Sequence, residues 1–282
     1  MSNKKLQALY ALKWNPFSSE IPTEALWTSS RLDLFGSRLQ HQVRDHGGFA
    51  LISGDPGTGK SAALRLTAHR LAELPDVIVG VLSRPQSRLA DFYRELGHLF
   101  GVPLAPHNRW AGSRCLREKW VAHLEQTLHR PALLIDEAQE MHPLVLSELR
   151  LLASADFDSR SLLTVVLCGD SRLLAMLKTE DLLPVASRIR ARLLLEPTPP
   201  RELLDCLKHC LDRAGNPNLL TPEVMNTLCE HALGNPRVLM QMAEDLLLAA
   251  TARELDRIDE KLYLEVFAAP QDARARVRTA RA

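Results

Sequence analysis

Eight consecutive residues form a pattern suited to holding a phosphate chain. They are Gly54-Asp55-Pro56-Gly57-Thr58-Gly59-Lys60-Ser61, which fit G-x-x-x-x-G-K-S/T. An apolar strand-like run precedes them and a helix-like run follows, so backbone N–H groups and a helix N-terminus would surround the phosphates. Lys60 would reach the β- and γ-phosphates, and Ser61 would bind Mg²⁺. The pattern predicts a site for ATP and Mg²⁺; the alternative is a chance glycine-rich turn.

A pair of carboxylates supplies the second half of the predicted chemistry. Asp136 and Glu137 directly follow the apolar run Leu133–Ile135, and ligands of open α/β folds bind at the carboxyl ends of such strands. Asp136 would hold Mg²⁺, and Glu137 would act as the base that polarises the attacking water. A strand-end acidic pair alone is often a helix cap. Together with the glycine-rich loop, however, the pair predicts an Mg²⁺-dependent nucleoside triphosphatase.

Three polar positions elsewhere could assist such a site. Asp170 follows a buried strand and would sense the γ-phosphate, or else serve as a turn or N-cap residue. Arg188 would complete the site of a neighbouring subunit, with Arg190 and Arg192 as fallback candidates; the alternative is the solvated face of an alternating strand. Arg237 opens a later helix and would fold back onto the nucleotide.

The hydrophobic pattern indicates the elements that must position these residues. Strand-like runs alternate with helix-like runs over residues 31–196, which predicts an α/β core with a parallel sheet covered by helices on both faces. Prolines then interrupt the chain, and residues 197–268 read as an all-helical lid. We expect residues 1–30 to form an extended segment and residues 269–282 a basic, disordered tail.

Composition excludes several classes of protein. The chain has 282 residues, 46% of them hydrophobic, and a net charge of +1. It is therefore neither disordered throughout nor a polycation, and no apolar run approaches the roughly 18 residues of a membrane span. Five cysteines fit reduced thiols and a cytoplasmic location. Cys206, His209 and Cys210 are too few for a structural zinc site and are read as helix residues.

A local excess of positive charge suggests contact with nucleic acid. Residues 84–120 contain seven basic and three acidic side chains, and no base-reading motif is visible, so binding would go through the DNA backbone. The candidate DNA-binding residues are Arg84, Arg88, Arg109, Arg114, Arg117 and Lys119. The alternative is a pair of amphipathic helices with solvated basic faces.

Three segments resemble a known family: HGGFALISGDPGTGKS, LLIDEAQEMHPLVLSELRLLA and GNPRVLMQMAEDLLL. The chain is similar to AAA+ ATPases of the ExeA-like group, which includes the secretion ATPase ExeA and transposon helper proteins of the TniB, TnsC and IstB type. The resemblance runs from about Tyr10 to Ala250 and implies the usual roles for Lys60, Ser61, Asp136, Glu137, Arg188 and Arg237. The ExeA pattern has Gln where this chain has Asp170.

The resemblance implies two different functions. Its transposon branch consists of ATP-dependent oligomers that coat or encircle duplex DNA and recruit a DDE-type transposase; its secretion branch acts on protein and carries a membrane anchor beyond the lid. The chain ends about 30 residues after the main lid helix, so we expect the first function, a homo-oligomeric ring or filament, and no membrane partner. An assembly ATPase acting on protein is the alternative, and a P-loop kinase is a weaker one.

Overall fold

The computed structural model describes residues 3–82, 85–86, 88–102, 109–156 and 159–267. Within these ranges the strands are β1 (Gly48–Gly54), β2 (Val79–Leu82), β3 (Ala132–Ile135), β4 (Ser154–Ala155), β5 (Arg160–Ser161), β6 (Thr164–Gly169) and β7 (Ile189–Leu195). The helices before β6 are α1 (Asn3–Tyr10), α2 (Ser30–His41), α3 (Lys60–Ala72), α4 (Leu89–Phe100), α5 (Arg109–Thr127) and α6 (Pro143–Ala153). The helices after β6 are α7 (Ser171–Met176), α8 (Leu183–Ala186), α9 (Pro200–Ala214), α10 (Pro222–His231), α11 (Pro236–Ala252) and α12 (Glu260–Phe267).

A five-stranded parallel sheet with the order β2-β3-β6-β1-β7 organises one compact unit, Thr28–Glu196. Strands β3 and β6 are buried at every residue, and β1 at all but its first. Successive strand residues point to opposite faces, so helices cover both faces of the sheet. This confirms the predicted α/β class.

The strand order decides which loops become neighbours. Strand β6 lies between β1 and β3, with Ser53 opposite Gly169 and Ile135 opposite Leu167. Because all three strands are parallel, their carboxyl ends meet at one edge of the sheet. The glycine-rich loop, the Asp136–Glu137 pair and the Gly169–Asp170 turn are therefore brought together there.

The described residues on either side of Thr28–Glu196 form the second compact unit. Helices α9–α12 build its core, and α1 contributes Leu6 and Tyr10 to the same hydrophobic cluster. The loop after α1 is also attached, since the Lys13 amide donates to the Ala214 carbonyl at 2.9 Å. Asn15 donates to the Glu244 carboxylate at 2.7 Å.

The expectation of an extended segment over residues 1–30 is wrong. Asn3–Tyr10 is α-helical, Thr23–Ala25 forms a 3₁₀ turn, and α2 already begins at Ser30. The physical reason is that Leu6 and Tyr10 stand four residues apart on one helix face, and both are buried. The basic tail expected over residues 269–282 lies outside the described residues. Over the part of the chain that is described, no helix has the length and apolar character needed to span a bilayer.

Candidate nucleotide-binding site

The glycine-rich loop runs from the end of β1 to the first turn of α3. Gly57 and Gly59 have φ angles of 87° and 94°, a region that L side chains rarely adopt. Gly59 is also the N-cap residue of α3 and offers no side chain to the helix. The first N–H groups of α3 therefore face the inside of the loop, in the arrangement that binds anionic groups.

Contacts within the loop hold its cation in place. The Lys60 ammonium donates to the Asp55 carbonyl at 3.0 Å, and the Thr58 hydroxyl donates to the same oxygen at 2.8 Å. Lys60 is buried as a residue. The loop thus presents a desolvated positive charge among backbone N–H groups.

The acidic pair lies next to this loop. Burial, followed by the charge of Asp136 and a hydrogen bond to it, raises the pKa of the Cys168 thiol far above its usual range. The charges of Lys60 and Glu137 also act on the same thiol. The first residue of α3 (Lys60) and the pair that follows β3 (Asp136 and Glu137) therefore lie close enough to Cys168 of β6 for their charges to act on it.

The oxygen ligands available here suit a magnesium ion. Ser61 offers a hydroxyl on an exposed residue at the first turn of α3, and Asp136 offers a carboxylate at the end of β3. Mg²⁺ prefers such oxygen ligands and usually takes only one or two from the protein, the rest coming from water and phosphate. Across the described residues, no group of three or more His, Cys, Asp or Glu side chains is arranged to hold a metal ion. The residues present therefore fit a magnesium site in which Ser61 and Asp136 supply the protein ligands and a bound phosphate supplies others.

Glu137 occupies an unusual backbone position. Its φ and ψ angles are 50° and 40°, and its amide donates to the Asp136 carboxylate at 2.9 Å. The side-chain amide of Gln139 donates to the Glu137 carboxylate. The only signal of Gln139 in the sequence is its place two residues after the candidate base, so the sequence alone does not identify it as a site residue.

Asp170 serves as the N-cap residue of α7. Its carboxylate accepts from the Arg172 amide and from Arg172 Nε, both at 2.9 Å. Burial opposes ionisation, but the hydrogen bonds and charge of Arg172, helped by Lys60, hold the pKa of Asp170 below its usual value. Of the two alternatives left open by the sequence, the structure shows the cap, and the ion pair with Arg172 occupies the carboxylate.

The predicted catalytic arginines are divided between the two compact units: Arg188 belongs to the unit Thr28–Glu196, and Arg237 belongs to the helical unit. Arg188 stands just before β7 and donates to the Pro184 carbonyl, and burial together with the charge of Arg150 lowers the pKa of its guanidinium. Arg190 and Arg192 alternate with buried residues along β7. Arg237 lies exposed in the first turn of α11 in the helical unit, where its amide donates to the Asn235 side chain at 3.0 Å. Their catalytic roles stay predictions.

The basic stretch is only partly available to an anion. Arg114 pairs with Glu118 at 2.7 Å, and Lys119 donates to the Gly101 carbonyl at 3.3 Å. Arg88 is exposed ahead of α4, and Arg117 is half-buried on α5. Arg84 and the side chain of Arg109 lie outside the described residues.

Comparisons with known proteins agree with this geometry. The family described as AAA domain matches residues 43–177. The chain is 31% identical over 253 residues to the general secretion pathway protein A of Aeromonas hydrophila, which covers 88% of this chain and 45% of that protein. The chain thus spans about half the length of this curated relative.

Solved structures support the fold. The Aeropyrum pernix ORC2 protein, solved as ADPNP-ADP complexes, aligns with a TM-score of 0.71 at 16% identity, covering 92% of this chain and 72% of that one. The Aeropyrum pernix ORC1 protein in complex with DNA aligns with a TM-score of 0.63 at 19% identity, covering 95% and 70%. At such low identity these two likenesses show the fold alone. The family match over residues 43–177 and the 31% identity to the secretion protein show that this chain is similar to AAA+ ATPases of the ExeA-like group.

Proposed function

We propose that this AAA+ ATPase binds Mg²⁺ and ATP at residues 54–61 and hydrolyses ATP with Glu137 as the base. One observation carries the proposal: the parallel pairing of β6 with both β1 and β3 brings the loop that contains Lys60 and the Asp136–Glu137 pair to the same carboxyl edge of the sheet. A cation, a metal-binding carboxylate and a second, partly exposed carboxylate are the groups that phosphoryl transfer to water requires.

Each side chain has a separate task in this proposal. Lys60 neutralises phosphate charge from inside the loop, while Ser61 and Asp136 hold the metal ion. When bound, Mg²⁺ supplies charge neutralisation and orients the phosphates. Glu137 accepts the proton of the attacking water, and its position at the start of a tight turn aims its carboxylate out of the strand.

Two substitutions separate binding from hydrolysis. We expect Lys60→Ala to lose ATP binding, because Lys60 contacts ground-state phosphates. Glu137→Gln should keep ATP affinity and lose turnover by about 100-fold or more, because the carboxylate acts mainly on the water. Fluorescent-nucleotide titration and steady-state phosphate release measure the two properties. Normal turnover in Glu137→Gln would show that another group is the base.

The partner is proposed in two steps. First, the chain acts as a homo-oligomer. Arg188 of one copy completes the nucleotide site of a neighbouring copy, and Arg237 acts on the nucleotide bound by its own copy. Second, the oligomer binds duplex DNA through the basic stretch and regulates a DDE-type transposase in the cytoplasm. Support comes from the charge excess of residues 84–120 and from a structural neighbour whose structure was solved in complex with DNA.

A second candidate rests on a different observation. The curated relative at 31% identity is a general secretion pathway protein, which favours an assembly ATPase that acts on protein. This alternative fits the comparisons at least as well as the DNA-based function. ATP-dependent binding of duplex DNA, measured by fluorescence anisotropy, distinguishes the two.

A further inference from the structure

The side chain of Gln139 connects the candidate base with the central strand of the site. Its Nε2 donates to the Glu137 carboxylate, and its Oε1 accepts from the Asp170 amide at 3.2 Å. Gln139 is only 7% exposed. Both ends of a buried amide are thus engaged, one by the turn after β3 and the other by the end of β6.

The absence of a side chain at Gly169 leaves room for the Gln139 amide. A Cβ atom on Gly169 would lie 2.5 Å from Gln139 Oε1 and 2.8 Å from a methyl carbon of Leu173. Only glycine at position 169 therefore allows the Gln139 amide to reach the end of β6 without a shift. The turn that carries Gln139 is itself closed by a bond from the Glu140 amide to the Glu137 carbonyl at 2.9 Å.

We propose that Gln139 is a positioning residue that orients the Glu137 carboxylate for attack and ties that orientation to the end of β6. A carboxylate has two oxygens. With the Gln139 amide donating to Oε2, the other oxygen can point towards the attacking water. A base held this way needs no reorganisation before proton transfer, and a misplacement of about 1 Å costs roughly 100-fold in rate.

A neighbouring ion pair offers a matched control. Arg172 bridges Glu140 at 2.9 Å and Asp170 at 2.9 Å, so it joins the same two segments as Gln139 without touching Glu137. The side chains of Arg172 and Glu140 are 62% and 36% exposed, and exposed pairs contribute little stability. Removing Glu140 therefore tests whether any link between the segments is enough, or whether the Gln139 amide itself is required.

The experiment compares steady-state ATPase kinetics of three variants. Gln139→Met keeps the length and packing of the side chain but removes both hydrogen bonds. Gln139→Glu still accepts from the Asp170 amide, but it cannot donate to Glu137 and places a second carboxylate beside it. We expect kcat to fall about 10- to 100-fold in both, with KM and ATP affinity within twofold of wild type. Glu140→Ala, which removes the ion pair with Arg172, should stay within about twofold in kcat.

A double substitution gives a measurement that a purely structural role would not move. The inference depends on Glu137 being the base, so Gln139→Met should cause no further loss when it is added to Glu137→Gln. Single-turnover hydrolysis and thermal unfolding are measured on the four proteins of this cycle: wild type, Gln139→Met, Glu137→Gln and the double variant. If Gln139→Met unfolds, Gln139→Glu takes its place in the cycle.

The possible results separate this inference from the proposed function. A kcat within threefold of wild type in the Gln139 variants, or a loss that adds to that of Glu137→Gln, would overturn the positioning role while leaving the base in place. Loss of ATP affinity in Gln139→Met would also overturn it. Normal turnover in Glu137→Gln would instead refute the proposed function itself.

Discussion

At the scale of single residues, Gly54 joins strand β1 to the glycine-rich loop at a point that leaves no room for a side chain. A Cβ atom there would lie 2.5 Å from the Leu195 carbonyl oxygen and 2.7 Å from the Thr58 hydroxyl. A backbone carbonyl cannot rotate away as a flexible side chain can. The position therefore has no space for any larger residue, although its φ angle is not in the left-handed region.

We predict that Gly54→Ala destabilises the protein by about 1–3 kcal/mol, the usual cost of overpacking a core. It should also weaken ATP binding, because Thr58 belongs to the loop that must yield. Thermal unfolding and nucleotide titration provide the measurements.

Gly80→Ala is the matched control, since it also lies in a strand of the same sheet. A Cβ atom there would meet its nearest neighbours, in Leu99 and Phe100, at 3.4 Å, so stability should stay within about 1 kcal/mol of wild type. If Gly54→Ala and Gly80→Ala lose the same stability and the same ATP affinity, the close contacts at Gly54 are not what stabilises the loop.

The sequence could predict the residues of this site whose role depends on local spacing. Lys60 and Ser61 are fixed by the loop pattern, and Asp136 and Glu137 follow directly from an apolar strand. Gln139 and Arg172 could not be found in this way, because each has a partner that comes from another strand end: Asp170 for Gln139, and Glu140 for Arg172. The adjacency of β3 and β6 creates these contacts.

At the scale of elements, the first helix shows how a short segment is stabilised by distant ones. Helix α1 has only eight residues, which is too short to be stable alone in water. Its buried residues Leu6 and Tyr10 join a cluster formed by helices that begin at Pro200. Tertiary packing, rather than intrinsic propensity, therefore makes this helix.

This dependence explains why the N-terminal prediction failed while the sheet was predicted correctly. The strands at the centre of the sheet are largely apolar runs, which local composition is enough to identify. Helix α1 offers only two buried positions, and the prolines that follow suggest an extended chain. Its partners lie about 190 residues later, a distance over which the sequence pattern carries no signal. The strand order β2-β3-β6-β1-β7 also depends on packing between segments that are distant in the sequence, so local patterns do not predict it.

We predict that Leu6→Ala lowers the free energy of unfolding by about 2–5 kcal/mol, as burial of a leucine implies. Leu9→Ala is the control on the same helix. Leu6 is 3% exposed and Leu9 is 37% exposed, so Leu9→Ala should cost less than about 1 kcal/mol. Urea unfolding followed by circular dichroism measures both. Equal effects would mean that α1 is not anchored through its buried face.

At the scale of the whole molecule, charge limits how a DNA complex could form. The net charge is only +1, so one copy has little long-range attraction for a polyanion. Among the described residues of the basic stretch, Arg114 is paired with Glu118, and the Lys119 ammonium donates to a carbonyl. Several copies on one duplex would add their contributions, and nucleotide held between copies would set their spacing.

We therefore predict that duplex DNA binds the ATP-bound oligomer, with weak sequence preference and strong dependence on salt. Each phosphate neutralised should add about 0.9 to the slope of log affinity against log salt concentration. The combined replacement of Arg114, Arg117 and Lys119 by serine should weaken binding to all sequences alike and flatten that slope. ATP binding should be unchanged, because these residues lie in a segment separate from the loop that contains Lys60.

Fluorescence anisotropy on two unrelated duplexes, across a salt series and with ATP, ADP or a non-hydrolysable analogue, makes this measurement. The control replaces three exposed cations of the helical unit, Lys208, Arg257 and Lys261, with the same change in charge. An equal loss in both triple variants would indicate a general effect of net charge rather than an interface on α5. If the analogue-bound protein fails to bind either duplex at low salt, or if binding is tight without nucleotide, the DNA-based function is wrong. Such a result would leave the nucleotide site unaffected, since both proposed functions share it. The similarity to the secretion protein would then favour a protein as the target of this ATPase.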